Sequence, residues 1–189
     1  MFNSIPPITR NLIIINVVVY LITNFFQSEY LYTLLSGYFP LSPFFKSFQI
    51  ITHMFMHAQL GNGIGIAHIL FNMFTLYSFG PILEQSLGDK KYLILYFLCG
   101  LGSYALYNLW NFIEYQQISA QLEAIGFNVD QYMNNPQTFV EYLKTASPEI
   151  QTSIKGLNNL KFGPMVGASG AIFGVIAAFA TLYPDSKIG

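Results

Sequence analysis

GPMVGASGAIFGVIAAFATLY, residues 163–183, frames one serine with glycines and then runs apolar to its end. A stretch of about 20 apolar residues is what a helix needs to cross a bilayer core. Ser169, between Gly167 and Gly170, poses the functional question. It is either a spacer that lets helices touch or a nucleophile held away from bulk water.

The rest of the chain agrees with the membrane reading. Of 189 residues, 53% are hydrophobic, 17% aromatic and 9% charged, with a mean hydropathy of +0.44. Soluble domains carry about 25% charged residues. The expected fold class is therefore all-α, a polytopic helical membrane protein with four transmembrane helices in this chain. The spans fall near residues 8–26, 64–83, 92–112 and 164–183. A net charge of −1 leaves no basic surplus to neutralise phosphates, so nucleic acid is not an expected partner. One cysteine, Cys99, can form no internal disulfide. The N-terminal run ends in Phe25 and Phe26 rather than at a small-residue cleavage site, which predicts a retained helix, not a cleaved signal.

Residues 27–63 are aromatic and broken by Pro40 and Pro43, the pattern of an interfacial, partly re-entrant loop. Residues 113–161 have soluble character. ISAQLEAIGF and TFVEYLKTA show helical spacing, and Asn134-Asn135-Pro136 and Ser147-Pro148 break them. This segment is expected to be a water-facing loop with two or three short amphipathic helices. Arg10, Lys90, Lys91 and Lys187 fall on one face if the spans alternate, and the positive-inside rule makes that face cytoplasmic. The 113–161 loop is then extracytoplasmic.

That orientation brings His68, Asn72 and Ser169 to similar depth. His68 and Asn72 are four apart and share a helix face. Polar groups inside a span are costly unless partnered or facing a cavity. A serine hydroxyl needs a base to become a nucleophile. Negative charge developing on the attacked carbonyl needs donors, which the Ser169 N–H, the Asn72 amide and a His68 ring N–H can supply. Glycines at 167 and 170 would let a substrate backbone approach. The bland alternative is a packing seam, since Ser169, Gly170 and Gly174 place small residues at helical spacing. His53 and His57, in THMFMH, suggest zinc at first sight. A metalloprotease helix needs Glu after the first His, however, and Met54 stands there. No metal and no cofactor is expected, and the pair is read as packing under the loop. Glu84, at the end of the second span near Lys90 and Lys91, is read as structural.

Taken in order, THMFMH, AHILFNMFTLYSFGPILEQSLG and VGASGAIFG resemble the rhomboid family of intramembrane serine proteases. They are similar to its first loop, its second helix with H-x-x-x-N and E-x-x-x-G, and its fourth helix with G-x-S-G. The resemblance covers nearly the whole chain apart from 113–161. It implies Ser169 as nucleophile, His68 and Asn72 as oxyanion-hole contributors, Gly167 as the glycine two before the serine, and Glu84 as a structural carboxylate. It also implies catalysis without metal or cofactor on transmembrane protein substrates, by a multi-pass protein of a bacterial inner (plasma) membrane.

Two departures stand out. Phe48-Gln49 occupies the place where the family often has Trp-Arg. The family's general base is a histidine on a sixth helix, whereas His53, His57 and His68 all precede Ser169. The expectation is a complete protein of six spans whose C-terminal helices carry that histidine, so that this chain is one rhomboid-like membrane domain, incomplete at its C-terminus. The alternative is a catalytically inactive rhomboid-like protein that binds membrane-protein helices. A channel or transporter would place several ionisable residues in the spans, and only His68 is clearly there.

Overall fold

In the computed structural model, residues 5–25 and 29–186 are described, the side chain of residue 62 excepted. Nearly all regular structure among them is helical, with no strand beyond one isolated bridge, Gly37 with Met165. The helices are α1 (Pro7–Phe25), α2 (Glu29–Leu35), α3 (Gln49–Thr52), α4 (Gly65–Leu87), α5 (Asp89–Ala124), α6 (Val129–Asn134), α7 (Val140–Thr145), α8 (Pro148–Phe162) and α9 (Ala168–Leu182). The all-α fold class expected from composition is the one observed. α1, α4 and α5 are long and apolar enough to cross a membrane; α9 is apolar and 15 residues long. Phe26, Gln27, Ser28 and Lys187, used above to end the first span, open the loop and orient the chain, lie outside the described residues.

Two compact units divide the chain. The first comprises residues 1–37, 46–105 and 164–189. Its core joins Leu12 of α1, Leu76 and Leu83 of α4, Tyr92 and Tyr96 of α5, and Ile172 and Val175 of α9 around Met54. Small residues let the helices approach, as they must where lipid offers apolar contacts as good as another helix does. A Cβ on Gly174 would come 2.2 Å from Cys99 Sγ, and one on Gly100 would come 2.2 Å from Met54 Cε. The buried Glu84 closes the N-terminus of α1. Its carboxyl oxygens accept from Ile8 N (2.8 Å), Thr9 N (2.7 Å) and Thr9 Oγ1 (2.7 Å). First-turn N–H groups have no acceptor within their own helix, so Glu84 supplies one. Its partner is thus α1, not Lys90 or Lys91.

The second unit comprises residues 38–45 and 106–163. Leu122, Phe127, Val129, Tyr132, Ile154 and Leu157 form its core. Gly126, at φ 83°, turns the chain after α5. The Asn128 side chain caps α6 through Gln131 N, and Ser147, followed by Pro148, caps α8 through Ile150 N. TFVEYLKTA yields α7, whereas the helical part of ISAQLEAIGF is the end of α5 rather than a separate helix.

Helix ends differ from expectation in two informative places. α5 runs on from the apolar run through Phe112 to Ala124, because a change from apolar to polar residues does not interrupt a helix when neither Gly nor Pro intervenes. α9 starts at Ala168 rather than Pro164. Residues 164–167 are committed elsewhere: Gly37 and Met165 exchange backbone hydrogen bonds of 2.9 and 2.7 Å, and Gly167 N donates to the His53 carbonyl at 2.9 Å.

Candidate active site

Every residue singled out for chemistry lies in the first unit. Ser169 is the second residue of α9, in the turn whose N–H groups lack partners within the helix. His68 lies in the first turn of α4, and Asn72 sits one turn further on the same face. The structure brings the three together. His68 Nε2 is 2.8 Å from Ser169 Oγ, and both polar atoms of the Asn72 side chain are 3.3 Å from it. Asn72 is buried; His68 and Ser169 are partly open.

The proton on His68 can be placed from its other nitrogen. Nδ1 faces the backbone N–H of Ala58 at 3.3 Å, and an N–H can only donate. Nε2 lies 2.8 Å from Ser169 Oγ and 3.3 Å from Asn72 Nδ2; with Nδ1 accepting from Ala58, the shorter contact is met by the neutral form that carries its hydrogen on Nε2. In that form His68 presents a donor to Ser169 Oγ, which is what a developing oxyanion requires. The Asn72 amide adds a second donor from the same helix, and the N–H groups at the start of α9 point to the same end of that helix.

Gly167 and Gly170 do not leave open space for a substrate backbone. A Cβ on Gly167 would lie 2.1 Å from His53 Cδ2, and one on Gly170 would lie 2.1 Å from Ser103 Oγ. The close approach these glycines permit is to the protein itself. The packing seam is therefore present, through Gly170 and Gly174 against Ser103 and Cys99, while Ser169 sits in the polar cluster. The two readings of the motif occupy adjoining faces of one helix.

THMFMH folds as the end of α3 and a 3-10 turn, His53–Phe55. His53 is buried and donates from Nδ1 to the Gln49 carbonyl at 2.8 Å. Its ring is tilted at 47° against that of Tyr104, centroids 4.8 Å apart, and burial pushes its pKa down against the opposing effect of backbone hydrogen bonds. The departure at Phe48-Gln49 has a local answer: the buried Gln49 accepts from Lys46 N at 2.9 Å and donates to the carbonyls of Thr33 and Leu34 at 3.2 and 3.1 Å. It holds the loop from within. His57 is buried next to the site. Its Nε2 is 3.0 Å from Asn16 Oδ1, its Nδ1 is 3.4 Å from Asn72 Nδ2, and its ring lies 5.4 Å from that of His68. Among the described residues, no three His, Cys, Asp or Glu side chains gather where they could hold a metal ion.

Asn16 and the Ala58 N–H join this network without having been expected there. A polar residue inside LIIINVVVY is a readable signal, since an amide within a span must find a partner. A backbone N–H in a loop leaves no trace in the sequence.

Comparison with known families gives one match, a Rhomboid domain over residues 45–189. No curated protein and no solved structure matches the chain.

Proposed function

The chain belongs to the rhomboid family, and from that premise we propose that it is a serine-type endopeptidase that cleaves transmembrane segments of membrane-protein substrates. With its three long apolar helices it is an integral membrane protein whose surroundings are the lipid bilayer. The observation that carries the proposal is the contact of Ser169 Oγ with His68 Nε2 at 2.8 Å, with Asn72 alongside.

In this reading Ser169 Oγ attacks the scissile carbonyl, and oxygen develops negative charge. The Ser169 N–H, the Asn72 amide and the His68 Nε2–H stabilise that charge. Donors fixed in place before the reaction cost no reorganisation, and each is typically worth about 10²–10³ in rate. The proton leaving Ser169 needs an acceptor, and the resemblance to the rhomboid family implies for that role a histidine other than His53, His57 and His68. The membrane domain is a single rhomboid-like one, with residues 113–161 on its extracytoplasmic side, in a bacterial inner membrane. The three long helices and α9 are its four spans.

The alternative is a binder of membrane-protein helices with an inert Ser169. A fluorophosphonate probe separates the two, because only an activated serine is phosphonylated. Labelling of the full-length protein at Ser169, together with loss of cleavage of a transmembrane test substrate in Ser169→Ala, is expected. Undiminished cleavage by Ser169→Ala would remove Ser169 from the chemistry.

A further inference from the structure

A chain of hydrogen bonds reaches the site from α1, an element with no role in the reaction described so far. It begins at Asn16, fully buried in mid-helix. Asn16 Nδ2 donates to the Leu12 carbonyl at 2.8 Å. A carbonyl only accepts, so the orientation of this amide is fixed, with Oδ1 turned away from Leu12. Oδ1 faces His57 Nε2 at 3.0 Å. An amide oxygen also only accepts, so His57 holds its proton on Nε2 and a lone pair on Nδ1. That lone pair faces an atom of the Asn72 amide at 3.4 Å, and only the nitrogen end of the amide can donate to it. Each assignment follows from the one before, starting at a backbone carbonyl that has no freedom.

We propose that Asn16 and His57 are positioning residues that fix which way the Asn72 amide points, so that its nitrogen, 3.3 Å from Ser169 Oγ, is held as a donor toward the reacting oxygen. The inference rests on the reading of Ser169 and Asn72 given above. Oδ1 lies equally close to Ser169 Oγ, at 3.3 Å, so the His57 lone pair decides on which side of the hydroxyl the donor stands and on which side the carbonyl. Two further contacts hold the loop in register. Tyr20, one turn beyond Asn16, packs edge-on to His57 at 6.1 Å, and Asn24, a turn later, accepts from Leu60 N at 2.9 Å. α1 thus presents Asn16, Tyr20 and Asn24 along one face to the segment that also carries the Ala58 N–H.

The titratable groups facing His57 are Tyr20 from α1 and His68 from α4. Burial first, then the neighbouring His68, push the His57 pKa down to about 4. The ring is therefore neutral through the neutral range, and the lone pair on Nδ1 persists there.

Full-length protein labelled with ¹⁵N-histidine is studied in detergent micelles by two-bond ¹H–¹⁵N correlation, with His57 assigned by its loss in His57→Gln. At neutral pH His57 is expected in the Nε2–H form. In Asn16→Leu that preference is lost. In Asn16→Asp the carboxylate stabilises the imidazolium, and His57 becomes charged at a higher pH than in the wild type. A charged His57 donates from both nitrogens and turns the Asn72 amide. Asn16→Asp should therefore show an acid limb in kcat that is absent from the wild type and recovers as pH rises. Asn16→Leu should lower kcat roughly tenfold to a hundredfold, the range seen when a partner that orients a functional side chain is removed, with little change in KM. An Nδ1–H form of wild-type His57, or an unchanged tautomer in Asn16→Leu, overturns the proposal. So does an Asn16→Asp pH profile identical to wild type. Cleavage that survives Ser169→Ala defeats the protease reading instead, and the tautomer results stand apart from it.

Discussion

The two units each have an apolar core but differ in what surrounds it. In the second, Leu122, Phe127, Ile154 and Leu157 bury apolar side chains together, and expulsion of water supplies the drive. In the first, many large apolar side chains face outward, Phe71, Phe74 and Phe173 among them. Beside its apolar core around Met54, its helices are set in place by contacts of small or polar groups: Gly174 against Cys99, Gly80 against Thr9 and Tyr92, and Glu84 on the N-terminus of α1. Lipid tails are as apolar as leucine, so in a bilayer burying leucine gains little and a satisfied hydrogen bond or a close backbone approach gains more. The polar cluster around Ser169 uses the same materials that hold its helices together, so one glycine-serine motif supplies both a packing seam and the polar contacts of the candidate site.

Four substitutions test that contrast. Glu84→Leu is expected to have the largest effect. It strands three donors, two of them buried, each worth about 1–3 kcal/mol when left unmade, and should lower the unfolding free energy of the micellar protein by roughly 3 kcal/mol or more and abolish probe labelling at Ser169. Leu157→Ala comes next, at about 2–5 kcal/mol for a cavity in a well-packed core. That loss should appear in proteolytic sensitivity of residues 106–163 while Ser169 labelling is retained. Gly174→Ala, forced against Cys99, should cost about 1–3 kcal/mol as an overpacked contact, measured as a lower thermal midpoint and weaker labelling. Ser147→Ala, which removes the cap of α8, should cost about 1 kcal/mol and leave labelling unchanged. If Leu157→Ala silenced Ser169 while Gly174→Ala did not, the contrast between the units would be wrong.

The sequence was most legible where composition alone determines the outcome. The apolar runs gave α1, α4 and the membrane part of α5, because a run of that length has no other way to satisfy its backbone in lipid. Boundaries were misjudged where the deciding partner is distant. Residues 164–167 look like the start of a span until Gly37 and His53 claim their backbone groups. In the site, His68, Asn72 and Ser169 were visible because polar residues stand out in apolar helices. Asn16 gave the same signal and was absorbed into the run around it, since nothing in LIIINVVVY reveals that His57 is its neighbour. Glu84 reads as structural from its place at the end of a span, but its partners are not legible there. Its true partners are N–H groups of α1, which every helix has and no sequence pattern marks.

The separation of 101 residues between His68 and Ser169 has a consequence in time. A ribosome adding about 5–20 residues per second makes His57, His68 and Asn72 roughly 5–20 s before it makes Ser169. The donors are threaded into the membrane first, and the whole of residues 106–163 emerges in between. Ser169 is the last of the four to be synthesised, so the polar cluster closes only when α9 joins helices already in place.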